Sequence, residues 1–294
     1  MLLDPWAPLR STIRRMVGSK GPPVAYLEPR GDPGLFGPDS SAWLVHADFT
    51  SMMVGGVRAL LLQALHPGAL AGVWDHSSFR EDLHGRLART AGFVASTTYG
   101  GRDMALASID RVNRIHAGVA GIDERGRPYH ARDPHLLAWV HLTECWSFLT
   151  AYVRFVNPGF SRAQQDQYFS EMAALGALLG AQALPTTRSA VEEGLRAYEP
   201  ELAYGERART VVALLESFPA PWAQRPILRV FYQAARADLP AWARHLMGLA
   251  PVTLVESMGL ELAIKGMALP IREALKDGVA THARRRMETP GFPQ

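Results

Sequence analysis

The chain has 294 residues, 48% of them hydrophobic, which is enough to bury a full core, and 31 basic against 28 acidic side chains leave a formal net charge of only +3. The basic residues are scattered among acids, which excludes the clustered stripe that nucleic-acid binding needs. Cys145 is the single cysteine, which excludes an intramolecular disulfide, a cysteine-rich zinc site and a C-x-x-C-H haem attachment, and fits a reducing compartment.

Taken in chain order, MLLDPWAPLRSTIRRM has an early acid and no sustained apolar core, so it is not expected to be a secretory signal. Residues 18 to 39 carry five prolines and five glycines, a density that predicts an extended arm or long ordered loop instead of helix. The chain therefore divides into an N-terminal arm over 1–39 and an all-α domain over 40–294. Asp39-Ser40-Ser41 offers an N-cap, and apolar positions then recur at three and four through SSAWLVHADFTSMMVGGVRALLLQAL, ASIDRVNRIHAGVAGI, PHLLAWVHLTECWSFLTAYVRFV, RAQQDQYFSEMAALGALLGAQAL, GERARTVVALLESF and VTLVESMGLELAIKGMAL. Prolines, Pro270 among them, are expected at helix starts or connectors. No alternating strand pattern of useful length competes, so a single helical domain of roughly eight to ten helices is predicted. The most apolar stretch, MMVGGVRALLLQALHPGALAGVW, is broken by Arg58, Gln63, His66 and Pro67 and is too interrupted to span a membrane. Tryptophans 43, 74, 139, 146, 222 and 242 read as core, and Arg284-Arg285-Arg286 as a solvated tail. The expectation is a soluble, cytoplasmic protein that binds no nucleic acid. Oligomeric state, a homodimer included, is left open.

Eight of the ten histidines lie between positions 46 and 141, so a centre built on imidazole belongs to the N-terminal half. Ala105, Ile109, Val112, His116 and Val119 fall four, three, four and three apart, placing His116 on a buried helical stripe. Two readings stay open: a core histidine satisfied by a carbonyl, or a metal or haem ligand. In RLARTAGFVASTTYG, Arg86, Arg89 and Thr90 lie on neighbouring parts of one helix surface. That surface is either an ordinary solvated face or, with Arg86 and Thr90 turned into a cavity, a site for an oxygen species or anion. Glu81-x-x-His84 has the spacing used by di-iron bundles, and His141-x-x-Glu144 has it reversed; together they form the alternative of a non-haem metal oxygenase. No G-x-S-x-G, G-x-G-x-x-G or P-loop occurs.

Three runs, LLLQALHPGALAGVWDHSSF (60–79), RLARTAGFVASTTYG (86–100) and RVNRIHAGVAGIDERGRPYHARDPHLLAWVH (111–141), resemble the core of the bacterial and fungal family that includes latex-clearing protein, the rubber oxygenase, and the MpaB-type oxygenases. The similarity covers about residues 35 to 250, and GDPGLFGPDS resembles the short actinobacterial members. The resemblance implies a non-covalent haem b in an all-α fold distantly like the globins, with a proximal histidine. The family's R-x-x-x-T matches Arg86 to Thr90 with Arg89 in the intermediate place, and its R-x-x-H-A-x-V matches His116-Ala117-x-Val119, with Arg114 offset by one. By this resemblance His116 holds the iron, Arg86 and Thr90 line the distal side, and Arg89 gates or ligates there. The implied activity is oxidation of a small apolar metabolite with dioxygen or peroxide; a haem-binding carrier or sensor without turnover needs the same pocket. The glutamate that rubber-cleaving members place upstream of the arginine is missing from Gly68 to Trp74, and none of Asp75, Glu81 and Asp82 is assigned in its place, so rubber cleavage is not implied.

Overall fold

The arm does not begin as an extended strand: in the computed structural model, which describes residues 4–16 and 23–288, Ala7–Met16 is a helix, α1. Parts of the predicted arm, residues 1–3 and 17–22, and the last six residues lie outside the described ones. The chain continues through α2 (Ser41–His46), α3 (Phe49–Gln63), α4 (Pro67–His76), α5 (Leu83–Tyr99) and α6 (Arg102–His116). A small antiparallel hairpin follows, β1 (Ala120–Ile122) with β2 (Pro128–His130), pairing Gly121 with Tyr129. Then come α7 (Pro134–Phe155), α8 (Arg162–Leu178), α9 (Arg188–Ala197), α10 (Glu206–Glu216), α11 (Arg225–Ala237), α12 (Ala241–Leu246), α13 (Leu254–Leu275) and α14 (Val279–Met287).

The all-α class is as expected, but fourteen helices form among the described residues where eight to ten were predicted. Polar caps cut the long apolar runs. Ser40 caps α2 as anticipated, accepting from Trp43 N–H. Asp48 then ends that run and restarts it, accepting from Ser51 N–H at 2.8 Å at the head of α3. Asp82, Asp133, Ser161, Thr187 and Thr253 cap α5, α7, α8, α9 and α13 in the same way. Pro67 and Pro134 open α4 and α7 as predicted, whereas Pro270 lies inside α13, where it removes one backbone donor from the helix.

α7 is the central helix, packed against α3, α8 and α9. A Cβ at Gly55 would stand 2.9 Å from Ser147 O and from the Phe148 ring, so glycine there lets the α3 and α7 backbones approach closely. Arg58, fully buried three residues on, donates to Asp238, Ser147 O and Thr150 and lies over the Trp146 ring, tying α3 to α7 and the end of α11. Trp43 and Trp139 are fully buried, but Trp222 is 82% exposed because it sits in the proline-rich turn before α11, not in a helical run.

The basic run near the C-terminus is not simply solvated. Arg286 is fully buried: its guanidinium donates to Asp32 O at 2.8 Å, Tyr26 O at 3.1 Å and Tyr99 O at 2.7 Å. Those carbonyls belong to arm and helix-end segments with no partner of their own kind, and a planar cation with several donors satisfies them together. Asp32 also accepts from Arg102 N–H at 2.7 Å, so the glycine- and proline-rich arm is pinned across the turn between α5 and α6. Arg284 and Arg285 remain exposed.

Candidate functional site

α5 and α6 form an antiparallel hairpin joined by Gly100-Gly101, with Ser96 Oγ donating to Ser108 Oγ at 2.9 Å near its closed end. Arg86, Arg89 and Thr90 stand near the start of α5 and His116 is the last residue of α6, so the hairpin brings all four to its open end.

His116 is half-buried, since Ala105 and Ile109 are covered by the core and the stripe loosens towards the helix end. Its Nδ1 is buried and has no hydrogen-bond partner. Burial above all, then the charges of Arg132 and Arg86, pull its pKa down, so the ring is held neutral. This is not a core histidine satisfied by a carbonyl. An enclosed imidazole nitrogen without a partner is a destabilising feature that coordination of a metal would relieve. Arg86 is largely enclosed, and its own pKa is lowered by burial and by Arg89. Arg89 is exposed and 3.5 Å from the Asp82 carboxylate. The Thr90 hydroxyl donates to Arg86 O at 3.3 Å.

Beside this hairpin lies a cavity of about 690 Å³, enclosed by α3, α5, α11 and α13. Met52, Met53, Val57 and Leu60 of α3 face Leu87, Ala91 and Val94 of α5 across it, and Thr90 stands on the same wall. Arg86, Arg89 and His116 are not among its lining residues. The structure therefore brings Thr90 to the cavity and leaves the other three along the flank of α5 and the end of α6.

Three polar groups reach the cavity from its inner side. His46 is fully committed, with Nδ1 hydrogen-bonded to Thr98 Oγ1 at 2.8 Å and Nε2 to Tyr168 OH at 2.9 Å, and burial lowers its pKa to about 3. Tyr99 donates to Trp43 O at 2.8 Å. Glu144 has no hydrogen-bond partner among the described residues and is the only acidic side chain on the cavity wall. Burial pushes its pKa up to about 7. An unpaired carboxyl there is neutral or half-ionised near neutrality and can give or take a proton.

Sequence reasoning weighed Glu144 only as a metal ligand. The signal for its actual role was that Pro134–Phe155 holds no other acid in a strongly apolar helix. The four residues of the non-haem alternative are not assembled. His84 is exposed and bonds Arg15 O at 2.9 Å, Glu81 is exposed, and His141 Nε2 donates to Met172 O at 2.7 Å. Donor atoms gather instead at His66, His135 and Glu201, within 4.8 Å of one another. There Ala69 N–H donates weakly to His66 Nδ1, at 3.4 Å, which puts the ring proton on Nε2, facing Glu201 at 3.3 Å. That tautomer makes the cluster a hydrogen-bonded junction of α4, α7 and the Glu199–Glu201 turn, not a ready ligand set. A second hollow, about 570 Å³ and more open, lies by Trp146, Glu192 and Trp242, away from all of these residues.

An apolar chamber with one unpaired acid, beside a hairpin holding an unpartnered buried imidazole, defines a helical protein built to enclose and act on a small apolar molecule. The chain belongs to the family described as ER-bound oxygenase mpaB/B'/rubber oxygenase, catalytic domain, whose family model matches residues 43–268. No curated protein and no solved structure matches the chain. Among the described residues, no helix is long and apolar enough to cross a membrane.

Proposed function

We propose that this oxygenase-family protein is haem b-dependent and uses dioxygen or peroxide to oxidise a small apolar metabolite. The observation that carries the reading is His116 Nδ1, buried without a partner on a ring held neutral, the form in which imidazole binds iron. His116 would hold the iron, and the haem, when bound, would supply the oxidising chemistry.

The remaining roles belong to the protein. Arg86 presents a permanent positive charge and several N–H donors beside His116, suited to stabilising negative charge that develops on oxygen. Thr90, on the cavity wall, can turn its hydroxyl from Arg86 O towards a bound molecule and orient it. Glu144 carries or accepts a proton at its carboxyl oxygen inside the cavity, where its pKa of about 7 suits both directions. The apolar walls of α3 and α5 bind the substrate and exclude water. Arg89, on the exposed side of α5, has the charge to gate the open end of the hairpin. A buried free thiol at Cys145 accords with a cytoplasmic setting, which is part of this reading.

The test is expression with haem supplied, followed by absorbance and the porphyrin-to-protein ratio. The expected result is a Soret band with about one haem per chain. A colourless preparation, or iron without porphyrin, overturns the reading. Haem that binds oxygen reversibly but drives no oxidation of any apolar compound would leave a carrier or sensor.

A further inference from the structure

We infer that the cavity takes an amphiphile whose apolar chain lies between α3 and α5 and whose anionic head, a carboxylate or phosphate, rests on a ring of cations at the mouth. The inference deepens the oxygenase reading, on which it rests only for calling that ligand the substrate.

The argument is the distribution of charge around one hollow. Every lysine and arginine that lines the cavity lies at one edge: Arg14 and Arg15 of α1, Arg272 and Lys276 of α13, and Arg284 of α14. Four of these five, all but Arg14, are exposed to solvent and Arg14 is half-buried, so they mark where the cavity meets water. No aspartate lines the cavity, and Glu144, the single glutamate, projects from α7 within the interior. The partners of the five are few. Arg272 pairs with Asp48 at 2.6 Å and Lys276 with Glu273 at 3.1 Å. Arg15 donates only to the hydroxyls of Ser11 and Thr12, and Arg14 and Arg284 have no carboxylate partner among the described residues.

Three cations without carboxylates, gathered at one opening from helices far apart in sequence, repel one another unless an anion joins them. Arginine forks pair bidentately with planar carboxylate or with phosphate oxygens, and four of the five are arginines. Behind them the wall is methionine, leucine, valine and phenylalanine, without a charged group until Glu144. About 690 Å³ is within the roughly 300–1,000 Å³ of ligand pockets. A neutral hydrocarbon would use the chamber and leave the ring idle. A small polar anion would use the ring and leave the chamber empty. Only an amphiphile uses both.

The experiment is equilibrium binding of a fluorescent long-chain fatty acid to the full chain, prepared without added haem, and its displacement by palmitate, hexadecyl phosphate, hexadecanol and hemin. The proposal expects palmitate, hexadecyl phosphate or both to displace the probe at least tenfold more tightly than hexadecanol, the better of the two identifying the head. It also expects affinity to rise about three- to fourfold per added methylene until the chamber is full. The surface double variant Arg14→Glu/Arg284→Glu should weaken the anions at least tenfold and leave hexadecanol within twofold. Val57→Trp, which fills the chamber, should abolish binding, and circular dichroism establishes that each variant is folded. Equal affinity for hexadecanol and the anions, or binding unmoved by the charge reversals, overturns the proposal. So does displacement of the probe by hemin in the wild type but not in His116→Ala, which would make the chamber the porphyrin's own. Probe binding that persists in a protein with no Soret band separates this inference from the haem reading, failing the second and sparing the first.

Discussion

Glu144→Gln should stabilise the protein, and increasingly so as pH rises. The wild-type carboxyl ionises at a pKa of about 7 in the folded chain, against an ordinary value of 4.5. A raised folded pKa means that this group's contribution to stability is fully present below 4.5 and is lost as pH rises through 7. With 1.36 kcal/mol per pKa unit, the ionised group holds stability down by about 0.8 kcal/mol at pH 5 and about 3.3 kcal/mol at pH 8. The carboxyl keeps accessible surface only towards the cavity, so these figures are the upper end for a site into which some water enters. Glutamine has the same shape and no charge to desolvate, and the carboxyl has no partner to lose. Urea denaturation of both proteins at pH 5 and pH 8 measures the difference, in which every other titrating group cancels. The stability advantage of Glu144→Gln should grow by about 2.5 kcal/mol between the two pH values. Parallel pH dependences would show that Glu144 is solvated or paired, and would remove it as the proton-transfer group of the cavity.

Three further outcomes follow from the same physical arguments. Burial lowers the His46 pKa to about 3 and the His141 pKa to about 4, so the neutral rings stabilise the fold above 6.5 and that stability is lost as pH falls towards those values. In the Glu144→Gln background, denaturation at pH 7 and pH 5 should show a loss of about 2 kcal/mol for each histidine, and a flat response would mean the rings are charged already. Arg286→Ala leaves the carbonyls of Asp32, Tyr26 and Tyr99 without their donor and should cost about 3 kcal/mol or more, with faster hydrogen exchange over residues 23–36; unchanged exchange there would deny the pinning role. His116→Leu removes a buried nitrogen with no partner and should leave the haem-free chain as stable or up to about 1–2 kcal/mol more stable. A clear loss of stability would identify His116 as a structural residue.

How much of this was legible in the sequence depends on the range of the interaction concerned. Helical periodicity, the Ser40 cap and the opening prolines of α4 and α7 are local, and the all-α class with its central helix at Pro134–Phe155 could be read from them. The break at Asp48 was hidden because its apolar flanks keep the helical period across the cap. The hairpin at Ala120–His130 was hidden because each strand is only three residues long. Arg286 could not be placed from sequence, since the carbonyls that bury it come from segments about 190 to 260 residues earlier. Of the residues singled out by the family resemblance, Thr90 reaches the cavity, His116 and Arg86 lie beside each other at the hairpin's open end, and Arg89 faces solvent. Glu144 and the cationic mouth were missed for one reason: both are properties of a hollow formed by helices distant in sequence.

The central claim, that His116 is the iron ligand, is tested most directly by the spectrum and haem content of His116→Gly. The account predicts that this variant, expressed with haem, loses the wild-type Soret band and most of its porphyrin, and that added imidazole restores both. Wild-type absorbance and full haem content in His116→Gly without imidazole would contradict it.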